Sequence, residues 1–156
     1  MTEPATAAAP SKLLRAAIAL LSRRDFSRAE LRSRLLRAAG AQADQGEVER
    51  ALDAAQAQGL LSEDRLIEGF IRTRQARFGP ARLRYELSRR GISEDRIDAA
   101  LSLAACDEYA VAHALWVKRF KSYSSDDARE QARQARFLAS RGFSHDVIRR
   151  VLKAAR

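Results

Sequence analysis

Between Arg72 and Arg96 stand eight arginines, at positions 72, 74, 77, 82, 84, 89, 90 and 96, against three acids, Glu86, Glu94 and Asp95. A guanidinium is a rigid, permanently charged fork that meets a phosphate or carboxylate with two parallel hydrogen bonds, where an ammonium offers a point charge. The chemistry these residues can do is recognition of a polyanion. A second group, Lys118, Arg119 and Lys121 with Arg129, Arg133 and Arg136 beyond it, could extend the same surface. The competing reading is that much of this arginine only solvates helix surfaces.

Other reactive side chains do not assemble into a catalytic set. His113 and His145 lack metal-ligand spacing and read as surface or partly buried structural residues. Cys106 is the single cysteine, so no disulfide or thiolate zinc site can form within the chain, and burial as a small hydrophobe is its expected role. Asp126-Asp127 and Glu63-Asp64 read as first-turn acids that oppose helix macrodipoles. Trp116, Phe120 and Tyr123 stand at helical spacing and read as a core stripe rather than a base-stacking platform. The glycines are spread singly, so no phosphate loop exists. The expectation is a protein that is not an enzyme and uses no cofactor or metal.

Twenty-nine basic residues against twenty acidic ones give the 156-residue chain a formal charge of +9, which favours nucleic acid or an acidic protein surface. With 46% hydrophobic and 31% charged residues and only three prolines, the composition is that of a folded protein. No run approaches the roughly eighteen apolar residues of a membrane helix, and the start lacks a secretory pattern. A cytoplasmic protein without a membrane partner is expected.

The elements that must position the arginines are helical. Apolar residues recur at steps of three and four, as in Leu13, Leu14, Ala17, Ile18 and Leu21 or Val48, Ala51, Leu52 and Ala55. Ser27, Ser62, Ser93 and Ser144 each follow an apolar residue and precede another by four positions, the arrangement of an N-cap with its hydrophobic staple. Glu30 completes a capping box with Ser27, and Gly40, Gly59, Gly91 and Gly142 follow periodic segments as helix ends. Gly79-Pro80 reads as a cap and first helical residue. The pattern predicts helices near 11–23, 27–38, 46–58, 62–77, 80–90, 93–105, 107–121, 126–141 and 144–155, and no strand. On the fifth, Leu83 and Leu87 mark the buried face, with Arg82 and Arg89 on one flank.

Nine helices divide into three groups of three. Arg90-Gly91-Ile92-Ser93-Glu94-Asp95-Arg96-Ile97 matches Arg141-Gly142-Phe143-Ser144-His145-Asp146-Val147-Ile148 at a spacing of fifty-one. Leu31, Leu35, Gly40 and Leu52 echo Leu83, Leu87, Gly91 and Leu101, with a longer turn from Ala41 to Gln45. The expected organisation is a disordered tail over 1–10 and three-helix modules over 11–58, 59–105 and 106–156. Modules of this size bury too little surface alone, so they should stack into an elongated, curved array.

Gly59-Leu60-Leu61-Ser62-Glu63-Asp64-Arg65-Leu66, Phe70-Ile71-Arg72-Thr73-Arg74, Phe78-Gly79-Pro80-Ala81-Arg82-Leu83, Glu86-Leu87 and Arg90-Gly91-Ile92 together resemble the core of the RecX regulatory proteins. Ser27-Arg28-Ala29-Glu30-Leu31 with Leu35 is similar to their first-module motif. The resemblance covers nearly everything from Leu13 onward. It implies tandem three-helix repeats, no enzymatic activity, and binding across protomers in the helical groove of the RecA nucleoprotein filament. There such proteins hinder ATP turnover and strand exchange, modulating recombination and DNA repair. By motif position it makes Arg72, Arg74, Arg82 and Arg90 candidate partner contacts; Arg77, Arg84 and Arg89 join them on charge alone. The expected partners are the RecA filament and, more weakly and without sequence preference, single- or double-stranded DNA, met by a monomer. An autonomous nucleic-acid-binding helical repeat and an adaptor for an acidic protein remain open readings.

Overall fold

The computed structural model describes residues 10–40, 44–104, 106–121 and 127–154. Residues 1–9 of the expected tail, most of the turn from Ala41 to Gln45, Tyr123 and Asp126 lie outside the described residues. Within them are nine helices and no strand: α1 (Lys12–Leu21), α2 (Arg28–Ala39), α3 (Gln45–Ala57), α4 (Glu63–Arg74), α5 (Pro80–Ser88), α6 (Glu94–Ala104), α7 (Glu108–Phe120), α8 (Ala128–Ala139) and α9 (His145–Ala154). Each expected helix is found, with ends that differ by three residues at most. No helix among the described residues is long and apolar enough to cross a membrane.

The helices start where local chemistry satisfies their first amides. Ser27 Oγ accepts from the Glu30 amide at 3.0 Å while a Glu30 carboxylate oxygen accepts from the Ser27 amide at 3.0 Å, the capping box expected of this pair. Both members of each expected staple are buried, Phe26 and Leu31, Leu61 and Leu66, Ile92 and Ile97, Phe143 and Ile148. Asp44, Asp107 and Asp127 do more than oppose the macrodipole. Each accepts from a first-turn amide, Gly46, Ala110 and Arg129 respectively, at 2.8, 3.1 and 3.0 Å. Helix α4 stops sooner than its apolar period suggests. The amides of Arg77 and Phe78 both turn back to the Arg74 carbonyl, at 2.9 and 3.1 Å, and Pro80 disfavours helical backbone at Gly79.

The chain divides into two compact units, residues 1–66 and 67–156. In the first, α1, α2 and α3 pack on one another around Leu14, Ala17, Leu31, Leu35, Leu52 and Ala55. An ionic layer fastens α2 to α3: Arg28 Nη2 donates to Glu49 at 2.8 Å and to Asp53 at 2.6 Å, and Arg32 Nε to Glu49 at 2.6 Å. Hydrogen bonding, to Glu49 above all, raises the Arg28 pKa, and Arg28 in turn lowers that of Glu49.

In the second unit α5 packs on α6, and α7, α8 and α9 pack together around Trp116, Leu138, Phe143 and Val151. Leu83 and Leu87 form the buried face of α5, as their spacing indicates. The start of α5 meets the turn between α8 and α9 through backbone hydrogen bonds: the Gly79 amide donates to the Arg141 carbonyl at 2.8 Å, and the Ala81 amide to the Gly142 carbonyl at 3.2 Å. Cys106 corrects an expectation, because it is exposed. It lies in the connection between α6 and α7, directly before the cap Asp107, where no helix face turns it inward.

Candidate polyanion-binding surface

Arg72 and Arg74 stand in the last turn of α4, Arg77 in the connection that follows it, Arg82 and Arg84 on α5, and Arg89 and Arg90 directly after α5, and the second unit contains all seven. Arg74, Arg82 and Arg90 are brought together. Glu86 accepts from Arg74 Nη1 at 3.0 Å through one carboxylate oxygen and from Arg82 Nε at 2.7 Å through the other. The buried ring of Phe70 lies under two guanidinium groups, Arg74 at 4.6 Å and Arg90 at 5.0 Å from its centroid. Such stacking orients the fork while its edge stays open to hydrogen bonding.

The other arginines are placed differently. Arg84 is drawn to α6, its Nε and Nη2 both donating to Asp98 Oδ1, at 3.1 and 2.6 Å. Arg77 leans on the Phe78 ring at 5.8 Å and Arg89 on the Tyr85 ring at 5.8 Å. Among the described residues, Arg72, Arg77 and Arg89 are exposed and have no carboxylate partner. The candidate set is thus a half-neutralised cluster around Glu86, an arginine engaged with α6, and three uncompensated charges.

These ion pairs do not lock the cations away. Their side chains keep between 21% and 57% of their surface in solvent, so each pair is worth at most about 1 kcal/mol and can be exchanged for a phosphate. In the first unit Arg24, Arg28, Arg32, Arg50 and Arg65 face internal carboxylates, those of Glu30, Glu49, Asp53, Asp44 and Asp25, while Arg15, Arg23, Arg34 and Arg37 are exposed with no carboxylate partner among the described residues.

The second basic group lies on α7 and α8. Lys118 and Arg119 occupy the last turn of α7, where cations oppose the exposed carbonyl end, and Lys121 caps it in the left-handed region at φ 54°. Arg129 and Arg136 are exposed on α8, whereas Arg133 is held by Glu130 through two hydrogen bonds of 2.8 and 2.7 Å. Those bonds, then one from Gln134, lower the Glu130 carboxyl from 4.5 to about 2.

The remaining chemistry-bearing residues are structural. Trp116 and Phe120 are in the core, and Trp116 Nε1 donates to the buried Gln134 Oε1 at 2.8 Å. His113 stacks between Tyr109 and Trp116, at centroid distances of 5.9 and 6.1 Å, while His145 is exposed. Among the described residues no three histidine, cysteine or acidic side chains gather as a metal site. Sequence reasoning missed Glu86 as the link between α4 and α5, the guanidinium platforms Phe70 and Phe78, and Tyr85. The i,i+4 spacing of Arg82 and Glu86 signals half of the first; nothing local signals Arg74.

Residues 62–101 match the family description of the second three-helix domain of RecX, and residues 107–152 that of the third. The regulatory protein RecX of Leptothrix cholodnii is 45% identical over 89% of this chain and 86% of its own. That of Ectopseudomonas mendocina is 41% identical over 92% and 95%. The crystal structure of RecX from Lactobacillus salivarius superposes with a TM-score of 0.76 at 25% identity, covering 92% of this chain and 94% of that one.

Proposed function

Because the chain belongs to the RecX family of regulatory proteins, we propose that it is a non-catalytic regulator of the RecA recombinase, acting in the cytoplasm as a monomer. It binds the helical groove of the RecA nucleoprotein filament and restrains ATP turnover and strand exchange. The observation that carries this reading is the exposed, uncompensated trio Arg72, Arg77 and Arg89 beside the Glu86 cluster. A filament of nucleic acid wrapped in protein is a repeating polyanion, and three-helix modules over 11–58, 59–105 and 106–156 can meet successive protomers. Weak contacts made on one chain add as avidity rather than as independent affinities.

Preassembled RecA filaments on single-stranded DNA provide the test. Substoichiometric protein should lower the rate of DNA-dependent ATP hydrolysis, and the Arg72→Ala, Arg77→Ala, Arg89→Ala combination should keep its helical content and lose the effect. An unchanged ATPase rate at full occupancy of the filament would remove the reading.

A further inference from the structure

Tyr85 is the exposed large aromatic residue among those described, with 55% of its surface in solvent, whereas Phe26, Phe70, Trp116 and Phe143 are all below 7%. Its exposure follows from its place on α5. It stands two residues from each of Leu83 and Leu87, which the helical period turns about 160° away from either, to the face opposite the core. A single exposed apolar residue needs no explanation by itself. Its surroundings supply one. One turn on, the guanidinium of Arg89 lies 5.8 Å from the ring centroid, and Arg89 has no carboxylate partner among the described residues. One turn back is Arg82, tied to Glu86 by an exchangeable pair.

We propose that Tyr85 is a base-stacking residue: its ring takes the face of an unpaired base of a single-stranded nucleic acid whose phosphates lie against Arg82 and Arg89. The inference rests on the polyanion contact proposed above and adds which polyanion this part of it meets. An exposed ring flanked by one uncompensated arginine, Arg89, and one in an exchangeable pair, Arg82, has the makings of a sequence-tolerant single-strand site, because every base has a π-face and every nucleotide a phosphate. A duplex keeps its bases stacked inside and offers the ring nothing. The phenol hydroxyl takes no part, so the contact depends on the ring.

The experiment is fluorescence anisotropy of a labelled oligothymidine of about twenty nucleotides, and of a duplex of equal length, with the full chain at fixed low salt. Tyr85→Ala should weaken single-strand binding about tenfold, the size of one base lost from one ring, without changing the salt slope or duplex affinity. Tyr85→Phe should bind as the parent does. The Arg72→Ala, Arg77→Ala, Arg89→Ala combination should flatten the slope instead. Stacking is overturned by any of four results: Tyr85→Ala binding as the parent; Tyr85→Phe falling as far as Tyr85→Ala; equal losses on duplex; or no binding of the oligonucleotide by the parent. If Tyr85→Ala leaves the oligonucleotide bound but abolishes inhibition of the RecA ATPase, the ring meets protein, and the regulatory reading survives without this inference. Because the ring packs against no core, the variant tests binding rather than folding.

Discussion

Gly79 and Gly142 lie backbone to backbone, so close that a Cβ on Gly79 would stand 2.3 Å from the Gly142 carbonyl oxygen. A Cβ on Gly142 would meet the Arg82 amide nitrogen at 2.3 Å, and its φ of 81° penalises any side chain as well. The two effects separate by substitution. Gly59→Ala, with φ 69° and open space, should cost about 1 kcal/mol. Gly79→Ala, with ordinary φ but a clash against backbone, should cost about 2 kcal/mol. Gly142→Ala combines both and should lose about 3 kcal/mol. Urea unfolding followed by circular dichroism ranks the three; equal midpoints for Gly59→Ala and Gly142→Ala would contradict the contact.

Glu86 restrains the charge that α5 can offer. Replacing it by glutamine releases Arg74 and Arg82 from their 3.0 and 2.7 Å bonds while keeping the side chain's shape. Affinity for DNA should rise several-fold and its salt slope steepen by about one, with stability changed by less than about 1 kcal/mol. A salt titration of anisotropy reads both, and an affinity that falls would mean that the Glu86 cluster must be intact to bind.

What could be read from the sequence follows the range of the forces involved. Helices begin and end through contacts of three or four residues, so Ser27 with Glu30, and Gly142 as the close of α8, stand in the sequence itself. The apposition of Gly142 with Arg82 joins residues far apart in the chain, and the helix-end pattern says nothing of it. Charge behaves the same way. Counting along the chain concentrated the site on residues 72–96, yet Arg84 is turned to Asp98, and Arg74 shares Glu86 with Arg82. Residues 106–156, with eleven basic and six acidic side chains, hold an excess as large as that of residues 72–96. Cys106 was misplaced because the burial preference of cysteine carries no information about a connection between helices. Tyr85 was legible in principle: its spacing from Leu83 and Leu87 already puts it opposite the core.

Gln134 is buried to 2% exposure so that the Trp116 N–H, itself in a residue 1% exposed, has an acceptor. Gln134→Leu fills similar space and leaves that donor unpaired, which should cost about 2 kcal/mol. In a Trp116→Phe background the donor is gone, and the same change should cost at least about 1 kcal/mol less. A double-mutant cycle from denaturant melts measures this coupling, and additive losses would show that the hydrogen bond contributes nothing specific.

Acid should loosen the α7–α9 bundle through Glu130. Hydrogen bonds from Arg133, then from Gln134, hold its carboxyl at about 2 in the folded chain, against 4.5 when unperturbed. A carboxyl whose pKa is lowered by folding stabilises fully above the unfolded value, and that contribution is lost as pH falls from about 4.5 through about 2. Protonation of Glu130 weakens its hold on Arg133 and on Gln134 Nε2, and Gln134 is the partner of Trp116. The emission of Trp116, the single tryptophan of the chain, should therefore shift to the red over this window. High salt should diminish the effect, because the Arg133 pair is open to solvent. Glu130→Gln should be less stable than the parent at neutral pH, with a flatter acid dependence. Parallel acid titrations of the two proteins would assign the transition to other carboxylates.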